Sequence, residues 1–222
     1  MSQKTHAVQA LYQYRLSQAT KPFLSRGHKT KRCELCMVSL QNCICEHKPS
    51  CTSNAAFCLL MYDDEVLKPS NTGRLIADLV DDTFAYIWSR TQIDKQLEAL
   101  LTQERWQPFV VFPRENVVEK REVFDNVPAL PNNKRPLFII FDGTWREARK
   151  MFRKSSYLDK VPIISLSLGE DAQTSSSDYL IRKNAVSGQL ATAEVAAELL
   201  VSYGETHQGA LLKSWFDLFS YR

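Results

Sequence analysis

The sequence predicts an α/β protein with a mainly parallel sheet covered by helices on both faces. Three observations carry this expectation. Short, continuous apolar runs suit strands buried on both sides, helical periodicity fills the stretches between them, and 222 residues suffice for one such core with a small appendage.

Near the N-terminus Val8, Leu11, Tyr12 and Leu16 recur at helical intervals, so an amphipathic helix is expected over residues 7–18, ending before Lys21-Pro22. A cysteine-rich segment then runs to about Pro49, and the polar residues 50–54 read as a linker. Beyond it, residues 55–62, 83–89, 109–112, 137–141 and 162–168 read as strands. Residues 72–80, 93–101, 145–154, 192–203 and 209–219 read as helices. The expected division is a basic helix with a cysteine module over residues 1–50 and an α/β domain over 51–222.

The composition, 44% hydrophobic and 24% charged, is that of a soluble globular protein, and no apolar run nears the ~20 residues of a membrane span. Residues 1–14 hold no continuous apolar stretch followed by a cleavage site, so a cytoplasmic location is expected, with no membrane partner. The net charge of +3 is unevenly spread: residues 1–33 hold seven of the 28 bases and none of the 25 acids. Such an arm suits a polyanion, because each neutralised phosphate releases counterions; it also suits a plain solvated tail.

Four of the six cysteines are grouped as Cys33-x-x-Cys36 and Cys43-x-Cys45. In a reducing compartment this spacing points to a structural Zn²⁺ held by four thiolates, which stabilises a segment too short for its own core. Cys51, His28 and His47 stand near enough in sequence to replace one ligand, whereas Cys58 alternates into a strand and reads as a small buried hydrophobe. Lys29, Lys31 and Arg32, beside this module, are expected to face RNA.

Ligands of parallel sheets bind at the carboxyl ends of strands, so the loops after Tyr62, Phe112, Phe141 and Leu166 are where chemistry is expected. Phe141-Asp142-Gly143-Thr144-Trp145 leads directly into a helix; Asp142 or Thr144 suits an N-cap there, with Gly143 in a tight turn. On that helix Trp145, Ala148, Met151 and Phe152 form a core-facing stripe. Arg146, Arg149, Lys150, Arg153 and Lys154 lie opposite, with Glu147 the only acid, a face suited to phosphate. Asn71, Thr72 and Arg74 open another helix, where they can cap it or help receive an anion.

The stretch from Asp142 to Lys150 resembles the signature of the DTW family, an Asp-x-Thr-Trp motif opening a basic helix. The likeness extends to Glu65 through Ile76, with Ser70-Asn71-Thr72 and Arg74, to Val111-Phe112-Pro113, to Tyr179 through Lys183, to Gly188 through Glu194, and to the four cysteines. The chain has Tyr62-Asp63 where that family tends to have His-Pro. The resemblance implies a SPOUT-like, knotted fold, although nothing in the periodicity shows a knot. It also implies transfer of the 3-amino-3-carboxypropyl group of S-adenosylmethionine to N3 of a tRNA uridine, releasing 5′-methylthioadenosine.

On that reading Asp142, Thr144 and Trp145 are the catalytic candidates, and Asn71, Thr72, Arg74, Phe112, Pro113, Asp142, Gly143, Leu166, Arg182, Gly188 and Thr192 the cofactor-binding ones. Arg74 and Arg182 suit the methionine carboxylate. Asp142 is a base or an orienter, and an ordinary Asp, with a pKa of ~3.9, is too acidic to strip an amide-like proton outright. Two other classes stay open: a SPOUT-like RNA methyltransferase, and a non-catalytic zinc-containing RNA-binding protein.

Overall fold

The computed structural model describes residues 5–24, 27–117, 121–131, 133–166 and 190–221. A helix α1 (Ala7–Ser17) and a short cysteine-rich segment precede β1 (Ala56–Met61), α2 (Gly73–Leu79), β2 (Thr83–Ile87), α3 (Lys95–Leu101) and β3 (Trp106–Val111). Then follow β4 (Val123–Phe124), β5 (Arg135–Asp142), α4 (Trp145–Lys154), β6 (Ile163–Ile164), α5 (Thr192–Ser202) and α6 (Thr206–Ser220). The strands form one sheet in the order β2-β1-β5-β3-β6-β4, and every pairing is parallel. The expected α/β class holds. Residues 167–189, which include Arg182, Gly188 and the end of the expected strand 162–168, lie outside the described residues, and the expected knot is not traced without them.

Side chains alternate between two cores, as the period of a strand requires. Phe57, Leu59 and Met61 of β1, with Phe138 and Ile140 of β5, face α1, α2, α5 and α6. Cys58 and Leu60, with Leu137, Ile139 and Phe141, face α3 and α4. Cys58 is fully buried there, and burial pushes its thiol pKa up, in keeping with a small core hydrophobe.

Strand ends shift by a residue or two at β1, β2 and β5, and three further differences stand out. β3 starts at Trp106, ahead of the expected 109, and so includes Pro108. The N–H groups of Val110 and Phe112 point to β6, so the one that Pro108 lacks would lie on that same side, ahead of the point where β6 begins to pair. The ladder is therefore left whole, and the proline is tolerated. β6 spans only Ile163–Ile164, and the two-residue β4 beside it lies in a polar stretch too short to show any alternation.

The N-terminal segment is built into the first core, where Val8, Cys36, Val38 and Ile44 pack in the same cluster as β1. Its linker is held too: Ser53 Oγ and Asn54 N–H donate to Glu205 at 2.5 and 2.6 Å. Asp78 of α2 gathers both ends of the chain, with Lys48 Nζ at 2.8 Å, Trp215 Nε1 at 3.1 Å and His6 Nε2 at 3.7 Å. No helix among the described residues is long and apolar enough to cross a membrane.

His6 also caps α1, its Nδ1 accepting from Gln9 N–H at 3.2 Å. Burial, opposed by Asp78, pushes its pKa from 6.5 down to about 4. The unfolded chain therefore takes up this proton before the folded one does, and the stability from neutral His6 is present above pH 6.5 and lost as the pH falls towards 4. His6→Asn keeps a capping side chain without the titration. The wild type should lose thermal stability faster than this variant on acidification across that window; parallel curves would remove His6 from the account.

Candidate active site and metal centre

Along β5 the inward row Phe138, Ile140 ends in Asp142, which is 1% exposed. Asn71 Nδ2 donates to its Oδ2 at 2.7 Å, and Thr192 Oγ1 donates to its Oδ1 at 2.7 Å. Gly73 lies against the same carboxylate: a Cβ there would stand 2.6 Å from Oδ2, so only glycine permits this approach. A second link runs alongside, from Ala193 N–H to Thr72 Oγ1 at 3.3 Å. The start of α2, the start of α5 and the end of β5 thus meet at one carboxylate.

This junction lies at the carboxyl ends of β1 and β5, adjacent strands whose following helices, α2 and α4, cover opposite faces of the sheet. Such a divergence opens the crevice where parallel sheets take ligands. Of the expected pocket residues, Asn71, Thr72, Asp142 and Thr192 are brought together here. Among the described residues the buried Oδ1 of Asn71 has no hydrogen-bond partner.

The other described candidates make their contacts elsewhere. Thr144 is the exposed N-cap of α4, closing a capping box in which Glu147 Oε2 accepts from Thr144 N–H at 2.8 Å. Gly143 packs under Glu147 and Tyr62, each within 3.3 Å of an added Cβ. Trp145 is half-buried and stacks on Phe112 at 5.5 Å, and Phe112 stacks on Phe152 at 4.1 Å, so Phe112 is the middle ring of a stack. Pro113 and Leu166 are half-buried in the loops after β3 and β6. Arg74 is 2% exposed and turns to the cysteine segment, where its Nη1 donates to Leu35 O at 3.5 Å.

The four grouped cysteines place their Sγ atoms within 4.8 Å of one another, with Cys33–Cys45 at 3.6 Å and Cys36–Cys43 at 3.9 Å. Four thiolates at ~2.3 Å around a tetrahedral Zn²⁺ stand ~3.8 Å apart, so this cluster fits that ion. Met37 adopts a φ of 62°, turning the chain after Cys36 so that Cys33 N–H meets Val38 O at 2.8 Å. Cys33 is raised by burial, but the Cys36 and Leu35 N–H groups, together with the Cys43 and Cys45 thiols, outweigh this and bring its pKa down to about 7. Cys51, His28 and His47 are not in the cluster.

The basic residues divide. Arg146, Arg149, Lys150 and Arg153 are exposed on α4, and a groove of about 520 Å³ runs past Tyr62, Thr144 and Glu147 beside them. Glu147 is engaged by the helix cap and leaves this face strongly positive. Lys29 and Lys31 are exposed, whereas Arg32 donates to Met37 O at 3.1 Å and so braces the cysteine turn.

Three features are not evident from the sequence. Tyr62 stacks on Trp88 at 6.1 Å and accepts from Lys150 Nζ at 2.8 Å; that Trp88 directly follows a strand is the signal that could have found it. Ser165 Oγ accepts from Arg114 N–H at 3.0 Å and fixes the loop after β3. Glu194 accepts from Ala191 N–H at 2.7 Å, but an N-cap alanine hides the usual hydroxyl signature.

Replacing Asp142 by Asn exchanges one accepting oxygen for a donor that faces Asn71 or Thr192. The variant should lose about 1–3 kcal/mol of stability, read by urea denaturation, before any effect on turnover is considered. An unchanged midpoint would show that the junction does not depend on the charge.

The model of the DTW domain matches residues 30–222. No solved structure matches the chain. The match takes in the cysteine cluster, the Asn71–Arg74 turn, Asp142 with its Gly143-Thr144-Trp145 continuation, and the α5 start that closes on it. A single family pattern therefore contains every group gathered at the carboxyl end of the sheet, and the chain belongs to the DTW domain family.

Proposed function

We propose that this chain is a tRNA-uridine aminocarboxypropyltransferase that uses S-adenosylmethionine. Membership of the DTW family is consistent with a tRNA-modifying enzyme. The observation that carries the finer reading is the junction at Asp142, because it sets the first residue of the family's Asp-x-Thr-Trp motif at the carboxyl end of the sheet between diverging helices and, among the described residues, leaves the buried Asn71 Oδ1 without a partner. That acceptor fits an amine, and S-adenosylmethionine has one on its adenine and one on its methionine arm. When bound, S-adenosylmethionine supplies an electrophilic γ-carbon with 5′-methylthioadenosine as leaving group.

Of the two roles expected for Asp142, orientation fits better than general base. Both its oxygens are engaged, and it is 1% exposed. It holds Asn71 and Thr192 in fixed rotamers, and fixed polar groups position a reactant without reorganisation at the moment of reaction. Arg74 faces away from the crevice, which leaves the methionine carboxylate to other groups. The four thiolates would hold Zn²⁺ as a structural ion. Arg146, Arg149, Lys150 and Arg153 supply the phosphate-binding face, with Lys29 and Lys31 as a second basic patch.

Incubated with unmodified tRNA and S-adenosylmethionine, the protein should release 5′-methylthioadenosine and yield a uridine heavier by one aminocarboxypropyl group. S-adenosylhomocysteine with a methylated base would instead establish the methyltransferase reading, and no turnover at all would favour a binding protein.

Binding of tRNA should weaken steeply with salt. Reversing Arg146, Arg149 and Arg153 to Glu should flatten the dependence of log K on log salt by roughly one unit for each phosphate that is no longer neutralised. An unaltered slope would assign this face to solvent.

A further inference from the structure

We propose that Arg74 is the counter-charge of the metal–thiolate centre, and that through it the centre is anchored to the helix that positions Asp142. The inference rests on the reading of the four cysteines as a metal site.

Arg74 presents an electrostatic problem that the described protein groups do not solve at ion-pair distance. Its guanidinium is 2% exposed, and a guanidinium does not neutralise itself by giving up a proton. Among the described residues it has no carboxylate partner within ion-pair distance. It donates from Nε to Asn71 O at 3.3 Å and from Nη1 to Leu35 O at 3.5 Å, and its Nη2 is buried without a partner. A buried cation left in this state costs several kcal/mol.

Nearby carboxylates do not supply the missing charge at close range. Asp78 is already shared by Lys48, His6 and Trp215, and Asp142 by Asn71 and Thr192. What lies against Arg74 is the cysteine turn itself: Leu35 is the residue before Cys36, and Cys36 joins Asp78, Tyr12 and Asp142 among the groups whose negative forms favour the guanidinium's charge. Four thiols are neutral and would not help. Four thiolates around a divalent ion carry a net double negative charge, which a buried guanidinium can balance. Groups behind the ligands commonly set metal affinity by 10–100-fold.

The same side chain reaches the other site. Asn71, whose carbonyl accepts from Arg74 Nε, is the residue whose amide holds Asp142 Oδ2. One helical turn therefore connects the metal turn to the carboxylate junction, and removal of the metal would loosen both.

The test uses full-length protein with Arg74→Lys and Arg74→Met, and measures zinc affinity by competition with a chromophoric chelator. Arg74→Met should bind zinc about 10- to 100-fold more weakly than wild type, and Arg74→Lys, which keeps a charge, should bind distinctly better than the Met variant. Equal affinity in wild type and Arg74→Met overturns the proposal, and so does an equal loss in both variants, which would make the role one of packing. Should the Met variant fail to fold even with saturating zinc, the wild type decides. The Arg74 Nε–H resonance, assigned by its absence from Arg74→Lys, should be protected from solvent exchange with zinc and lose that protection once zinc is stripped; equal protection in both states overturns the idea. Protein that never carries stoichiometric zinc overturns the metal reading together with this one, whereas stoichiometric zinc with unchanged affinities overturns this one alone.

Discussion

The carboxylate of Asp142 occupies the last inward position of β5, where Phe138 and Ile140 before it are apolar. Burying that charge is costly unless its oxygens are satisfied, and Asn71 and Thr192 satisfy them from two different helices. The requirement works in both directions. α2 must bring Gly73 against the carboxylate to leave room, and α5 must begin where Thr192 can reach it. The open end of the sheet is thereby fixed by a polar contact whose members lie 71 and 50 residues from Asp142 along the chain.

Much of this was legible in the sequence because strands buried on both sides are continuous apolar runs, and β1 and β5 are such runs. Asp142 was legible as special by its place at a strand's end. Its burial was not, because alternation along β5 fixes which face it takes only once α2 and α5 are known to cover that face. Arg74 illustrates the same limit. Its position at a helix start suggested a ligand, yet the direction of its guanidinium depends on the cysteine turn folding back over α2, a contact 39 residues away in sequence. The cysteine cluster was readable in full, since thiolate spacing is itself the geometric constraint. The two-residue β4 was not, since it has no period to detect.

The structure also redistributes the basic arm. Arg15 is paired with Asp63, at 2.8 and 2.9 Å, which puts the acid that follows Tyr62 to work in docking α1. Arg32 braces the cysteine turn. What the sequence shows as one acid-free block is therefore partly scaffold, and among its described bases Lys21, Lys29 and Lys31 remain exposed. An exposed ion pair such as Arg15–Asp63 adds little stability alone, but with a bidentate geometry it fixes where the helix sits.

The strand order carries a consequence for synthesis. β5 pairs with β1 on one side and β3 on the other, although it follows both in the chain. As the polypeptide emerges from the ribosome, β1 finds β2 early but must wait for its second neighbour, and β3 has no neighbour at all until β5 is complete. Apolar strand edges are exposed throughout that interval. β5 covers the waiting edges of β1 and β3 when it arrives, whereas the N-terminal module can dock earlier, since the β1 and α2 groups it packs against, Asp78 included, precede β3 in the chain.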